Sequence, residues 1–220
     1  MSEEVSDELE PSELGTQEYW DGAYSVEMKN FEEHGDVGEV WFGEDSALRI
    51  VSWLSNSPLV NQEDRIIDLG CGNGMLLVEL AREGFSNLVG VDYSEKAIEL
   101  AKSVARSQNL TISFEVCDLL STQNKISEQF SVALDKGTYD AISLHPDNPK
   151  HKREQYISKV RSLLKPQGLL VITSCNWTEK ELISHFCNEF CLLSVIPTPT
   201  FRFGGKVGNL ITSLILQKKS

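Results

Sequence analysis

Short apolar strands and helical stretches alternate along most of this 220-residue chain, which predicts a doubly wound α/β domain on a seven-stranded, mostly parallel sheet. Three observations carry that expectation. Seven apolar runs of strand length are separated mostly by segments with helical spacing. One of them runs into a cluster of glycines that opens a helix. The last two have no helix between them, only residues 197–209, so they should form an antiparallel pair at one edge, with the last strand antiparallel.

Taken in order, Asp45 or Ser46 should cap a helix running to about residue 56. Leu48, Val51, Trp53 and Leu54 are its apolar positions, and Ser57-Pro58 stops it. Residues 65–69 read as a short buried strand, followed by glycines and a helix over 75–82 that Gly84 ends. A strand is expected at 88–91. Ser94 caps the next helix, over 95–107, where Ala97, Ile98, Ala101, Val104 and Ala105 recur at helical spacing. Strands follow at 111–116 and 130–134. A helix from about residue 153 to 164 ends at Lys165-Pro166, and 169–173 is the fifth strand. Thr178 and Glu181 form a capping box that opens a helix to about residue 187, and strands at 192–196 and 210–216 complete the set. This is a Rossmann-like order, and its length suits one such domain.

The net charge of −13 is unevenly placed. Residues 1–45 hold 15 Asp and Glu against Lys29 alone, while the remaining 175 carry 18 acids and 19 Lys or Arg. A near-neutral body offers no basic footprint for a phosphate backbone, so nucleic acid is not the expected substrate. A basic protein drawn to the acidic segment fits better. Residues 1–13 read as an acidic disordered tail. Residues 14–45 mix acids with Leu14, Tyr19, Trp20, Tyr24, Phe31, Trp41 and Phe42, the composition of a segment that docks, which leaves 46–220 as the main domain. The five cysteines (71, 117, 175, 187, 191) complete no zinc set, so no metal is expected, and they read as free thiols of a reducing compartment. No apolar run reaches the roughly 20 residues of a membrane span, and Met1 is followed by acids rather than a basic, then apolar, leader. A cytoplasmic, monomeric protein is expected, with the nucleus as a second compartment.

The chemistry concentrates at the predicted strand ends. Ile66-Ile67-Asp68-Leu69-Gly70-Cys71-Gly72-Asn73-Gly74 is a strand entering a glycine turn where backbone can approach a ligand closely. A dinucleotide fingerprint would want a third glycine at position 75, which is Met75. Asp68 brings negative charge near the turn, unfavourable for a pyrophosphate and suited to the amino and sulfonium groups of S-adenosylmethionine. Twenty-two residues after Gly70, Asp92 ends the second strand, where it can accept from both ribose hydroxyls with Tyr93 beside it. Asp118 ends the third and could accept from an adenine amino group, with Leu119 covering the ring; a plain turn role for Asp118 stays open.

These residues match the class I methyltransferase pattern of Asp-x-Gly-x-Gly-x-Gly, a ribose acid and an adenine-side acid. More of the chain resembles one narrow family. Leu14-Gly15-Thr16-Gln17-Glu18-Tyr19-Trp20, Val40-Trp41-Phe42-Gly43-Glu44, Leu134-Asp135-Lys136-Gly137-Thr138-Tyr139-Asp140-Ala141-Ile142, Thr173-Ser174-Cys175-Asn176-Trp177-Thr178 and Phe201-Arg202-Phe203-Gly204-Gly205 are similar to the lysine methyltransferases that modify eukaryotic elongation factor 1-alpha. The resemblance covers residues 14–220. It implies S-adenosylmethionine as cofactor, S-adenosylhomocysteine as product, and a lysine of elongation factor 1-alpha as acceptor.

A lysine acceptor sets a physical problem, since presenting neutral amine at neutral pH costs roughly 4 kcal/mol. Asp135, ending the fourth strand, is the candidate to bond that amine or take its proton; a structural turn role is the alternative. Asn176 and Trp177 follow the fifth strand and could hold the lysine stem, or Trp177 could be core. Tyr24 is a further candidate beside the substrate and, with Trp41 and Phe42, for a lid over the cofactor. His145 could line the acceptor entrance. A small-molecule acceptor on the same fold, a silent binding partner and an oxidoreductase are the competing readings, the last disfavoured by Met75.

Overall fold

The structure is a computed structural model that describes residues 8–121, 126–203 and 206–220. Five parallel strands form its centre: β1 (Arg65–Leu69), β2 (Asn87–Asp92), β3 (Ser113–Val116), β4 (Phe130–Lys136) and β5 (Leu164–Ser174). They are joined by α3 (Met75–Arg82), α4 (Glu95–Ser107), α5 (Thr138–Ser143) and α6 (Pro149–Leu163). Beyond β5 come α7 (Glu179–Phe186), β6 (Phe190–Val195), a ribbon of β7 (Thr200–Phe203) with β8 (Lys206–Asn209), and β9 (Thr212–Lys218). The sheet order is β3-β2-β1-β4-β5-β9-β6, with β9 antiparallel to both neighbours. β9 therefore lies inside the sheet and β6 forms the edge. The ribbon stands apart as its own two-stranded sheet, and Gly204 and Gly205 of the quoted motif lie outside the described residues.

Alternation along each central strand feeds two cores. Ile66 and Ile215 face α2 (Glu44–Asn56) and α3 with Ile50, Leu54, Leu77 and Leu80. Ile67, Leu214 and Leu216 face the other way, against Tyr156, Val160, Leu182 and Phe186. Because β1 is flanked by β2 on one side and β4 on the other, the connections diverge there and leave a crevice at the strand C-termini.

Two helices were not expected. The first, α1 (Gln17–His34), is acid-rich, and of its residues only Tyr24 is fully buried. Its termini are nonetheless marked: the Thr16 hydroxyl accepts from the Tyr19 N–H, and Gly35 closes it in the left-handed region at φ 73°. Trp20, Tyr24, Met28 and Phe31 seat it on α4 through Ala97, Leu100 and Val104. α5 is only six residues long and leaves β4 through Gly137, too short for helical periodicity to register.

The tail also begins to be ordered earlier than expected. Glu8 takes both guanidinium nitrogens of Arg153 on α6, at 2.6 and 2.9 Å, Leu9 packs on the second core, and the Ser12 N–H donates to the Leu144 carbonyl. These contacts tie residues 8–13 to the main domain, and residues 1–7 lie outside the described residues.

Candidate active site

The crevice is a cavity of about 310 Å³ between the strand ends and the N-terminal segment. A larger hollow of about 850 Å³, between α2 and residues 193–197, is lined by none of the glycine-turn or strand-end residues.

One half of the cavity is built by chain that immediately follows β1, β2 and β3: Gly70, Cys71, Gly72, Asn73, Asp92, Tyr93, Cys117, Asp118 and Leu119. Gly72 sits at φ 52°, and a Cβ there would come within 2.5 Å of the Tyr24 hydroxyl, so only glycine leaves the floor clear. Asp92 is buried; its Oδ2 accepts from the Gly72 N–H at 3.1 Å and its Oδ1 from the Ser94 N–H at 2.9 Å. Burial pushes its carboxyl up to about 6, against the pull of those N–H donors. Asp118 is exposed and turns Oδ1 onto the Leu120 N–H, while Leu119 is buried beneath it.

Two residues placed here by sequence stand behind the wall. Gly74, at φ 76°, faces Phe114 and Ala101, so it serves the packing of β3 and α4 rather than the ligand. Asp68 is buried and does not line the cavity. Desolvation raises its carboxyl to about 7, and Lys136, the first cation it meets, opposes that.

The other half follows β4 and β5: Lys136, Thr138, Asp140, Ala141, Leu144 and His145, with Cys175 and Asn176. Asp135 is absent from it. Its carboxylate is buried, accepting from the Thr138 and Tyr139 N–H groups and, at 2.5 Å, from the Tyr156 hydroxyl. It holds the start of α5 and does not face the crevice, so of the two roles weighed for it the structural one stands. Trp177 is likewise core: its Nε1 donates to the Ser143 hydroxyl, its ring meets His185 edge-on, and the Arg153 guanidinium lies 5.2 Å from its centroid. The carboxylate that does line this half is Asp140, on a six-residue helix too short for sequence periodicity to mark. It is buried, with the Ser174 hydroxyl on Oδ1 at 2.5 Å and the Cys175 N–H on Oδ2 at 2.8 Å.

The N-terminal segment roofs both halves. Trp20 stacks on Tyr24 and meets Trp41 edge-on, and all three line the cavity with Phe42. Tyr24 was expected beside the acceptor; standing over Gly72 and near Asp92, it belongs to the first half. Two side chains pin the roof. Asn73 donates Nδ2 to the Val37 and Glu39 carbonyls while its Oδ1 accepts from the Met75 N–H at the start of α3. Lys136 donates Nζ to the Trp41 carbonyl at 2.9 Å; burial holds its ammonium below the usual lysine range, against the pull of Asp68 and Asp135. Neither pin was foreseen.

A family model described as a methyltransferase domain matches residues 61–213. The chain is 46% identical over 209 residues to human EEF1A lysine methyltransferase 2, covering 94% of this chain and 88% of the relative. The zebrafish protein of that name is 44% identical over 97% of the chain and 91% of its own length. The chain belongs to the EEF1A lysine methyltransferase family of class I methyltransferases. A fission-yeast member, protein-lysine N-methyltransferase efm4, is 40% identical, with 95% of each chain covered. Among solved structures, the N-methyltransferase NodS from Bradyrhizobium japonicum, in complex with S-adenosyl-L-homocysteine, matches at TM-score 0.66 and 16% identity over 91% of this chain and 99% of its own. The [4+2]-cyclase SpnF matches at TM-score 0.68 and 15% identity over 96% and 97%. The fold alone therefore does not choose the reaction; the family membership rests on the sequence relatives.

Proposed function

We propose that this chain transfers a methyl group from S-adenosylmethionine to a lysine of elongation factor 1-alpha, leaving S-adenosylhomocysteine. One observation carries the reading furthest. The likeness to the lysine methyltransferases spans 94–97% of the chain, well beyond the methyltransferase domain at 61–213, and so takes in the segment that roofs the cavity.

The residues present fit that donor. Gly72 leaves a cradle that a Cβ would fill, and Asp92 presents a buried carboxylate for which two ribose hydroxyls would be welcome donors. Asp118 and Leu119 suit the adenine end. When bound, S-adenosylmethionine supplies an electrophilic methyl carried on a sulfonium sulfur. The chain supplies orientation and dryness. Strand ends fix the donor, and the roof of Trp20, Tyr24, Trp41 and Phe42 excludes water that would solvate and hold the lysine as ammonium. The acceptor enters from the half beyond β4 and β5, past His145 and Asn176. A protein substrate also suits the acidic face above the mouth and the lack of a basic footprint for nucleic acid. On this reading the enzyme works as a cytoplasmic monomer.

Incubation with tritiated S-adenosylmethionine and cell extract, followed by acid hydrolysis of labelled bands, tests it. Methyl-lysine in a band of elongation factor 1-alpha is expected. Label confined to small molecules would overturn the protein acceptor.

A further inference from the structure

Four carboxylates line the cavity among the described residues, and three have an assignment. Asp92 and Asp118 belong to the donor half, and Glu39 lies on the roof, its carbonyl pinned by Asn73. Asp140 is left over. It is 5% exposed, on a helix that starts where β4 ends, and it shares its wall with Cys175 and Asn176 from the end of β5. A lone carboxylate is expensive to bury, and here the Ser174 hydroxyl and the Cys175 N–H donate to its two oxygens, with the Cys175 thiol and the Asn176 N–H adding to them, all of them neutral donors. No cation is bonded to it among the described side chains. A buried carboxylate that faces a cavity and meets only neutral donors favours the entry of a cationic one.

We propose that Asp140 is a catalytic residue: it binds the incoming lysine ammonium and accepts its proton, turning RNH3+ and carboxylate into RNH2 and carboxylic acid. This rests on the lysine acceptor argued above. The nitrogen lone pair freed in this way is what the electrophilic methyl requires, and the proton can leave through water at the mouth once product departs. Burial raises the Asp140 carboxyl, opposed by its hydrogen bonds, which narrows its gap to the amine. The other titratable groups around it are Asp135 behind α5, Tyr139 on α5 and Cys175 after β5, while Lys136, His145 and Lys152 line the same half of the cavity. The role expected of Asp135 thus passes five residues along the chain, from a side chain bonded inward to one that meets the cavity.

D140N tests the assignment, with S-adenosylhomocysteine affinity measured by calorimetry alongside turnover on purified elongation factor 1-alpha. Turnover should fall about a hundredfold or more near neutral pH while donor affinity stays within a few-fold. As pH rises from about 7 towards 10 the deficit should shrink, because solution then deprotonates the lysine. S174A, which breaks the same network but keeps the carboxylate, should lose far less. Equal losses in both variants, a parallel loss of donor affinity, or a deficit in D140N that does not change with pH would overturn the proposal. If the wild type itself fails to label the protein, it is the lysine-acceptor reading that falls.

Discussion

The two halves of the cavity are built differently. In the donor half each functional residue lies at most four residues beyond its own strand: Gly70, Gly72 and Asn73 after β1, Tyr93 after β2 with Asp92 as its last residue, Asp118 and Leu119 after β3. Geometry there is local, set by strand ends and a positive-φ turn. In the acceptor half and the roof, position comes from contacts distant in sequence. Asn73 reaches 36 and 34 residues back to Val37 and Glu39, Lys136 reaches 95 to Trp41, and Arg153 reaches 145 to Glu8. Local construction should make donor binding robust to changes in the roof, whereas turnover should depend on every pin.

The largest expected effect strikes the local half. Asp92→Ala removes the acceptor of both proposed ribose bonds and frees the Gly72 N–H. At about 1.5–3 kcal/mol per bond to a charged group, donor affinity should drop at least about a hundredfold. The same carboxylate sets a pH limit. Binding needs its ionised form, so affinity for S-adenosylhomocysteine should hold above about pH 6 and weaken as pH falls through that value. Calorimetry across that range checks both, and a flat profile would detach Asp92 from the ribose.

Next in size is Asn73→Ala, which cuts the roof loose and leaves the Met75 N–H at the start of α3 without its acceptor. Turnover should fall by about tenfold and unfolding free energy by about 2 kcal/mol, with donor affinity moving least. Donor affinity falling as far as turnover would erase the distinction between the halves.

Glu8→Gln sharpens the comparison at its longest reach. Its guanidinium partner holds the Glu8 carboxyl below the usual glutamate value of 4.5. The ionised pair therefore stabilises the fold fully above about pH 4.5, and that contribution fades as pH falls through the lowered value. Arg153 is buried and Glu8 partly exposed, so the loss should be about 1–2 kcal/mol at neutral pH, with wild type and variant converging in acid. Denaturant unfolding at two pH values reads this directly. A variant as stable as wild type at neutral pH would return residues 8–13 to a loose tail.

The smallest effect is electrostatic. With −14 on residues 1–45, the Michaelis constant for a basic protein acceptor should rise a few-fold as salt increases, while donor affinity stays nearly constant. Salt-independent kinetics would leave the acidity as a matter of solubility.

The same contrast explains what could be read from sequence. β1, α3, α4 with its Ser94 cap, and the Thr178–Glu181 capping box lie where periodicity and cap residues put them, because those signals are local. α1 was missed since its apolar residues are few and gain meaning only against α4, and α5 because six residues carry no period. Asp135 and Trp177 misled for one reason. A strand end announces that a side chain is near the crevice but not which way it turns, and both turn inward to partners supplied by α5 and α6. Asn73 sat in plain view inside the glycine motif, yet both its roof partners lie more than 30 residues away.

Lysine methylation of the translation factor can be read directly. Purified elongation factor 1-alpha, incubated with the wild-type protein and S-adenosylmethionine and then digested for peptide mass spectrometry, should gain methyl groups on lysine at a defined position. D140N, assayed alongside near neutral pH, should modify that peptide about a hundredfold more slowly. A wild-type reaction in which no lysine peptide changes mass while S-adenosylhomocysteine still accumulates would contradict it, and would assign the acceptor half to a different nucleophile.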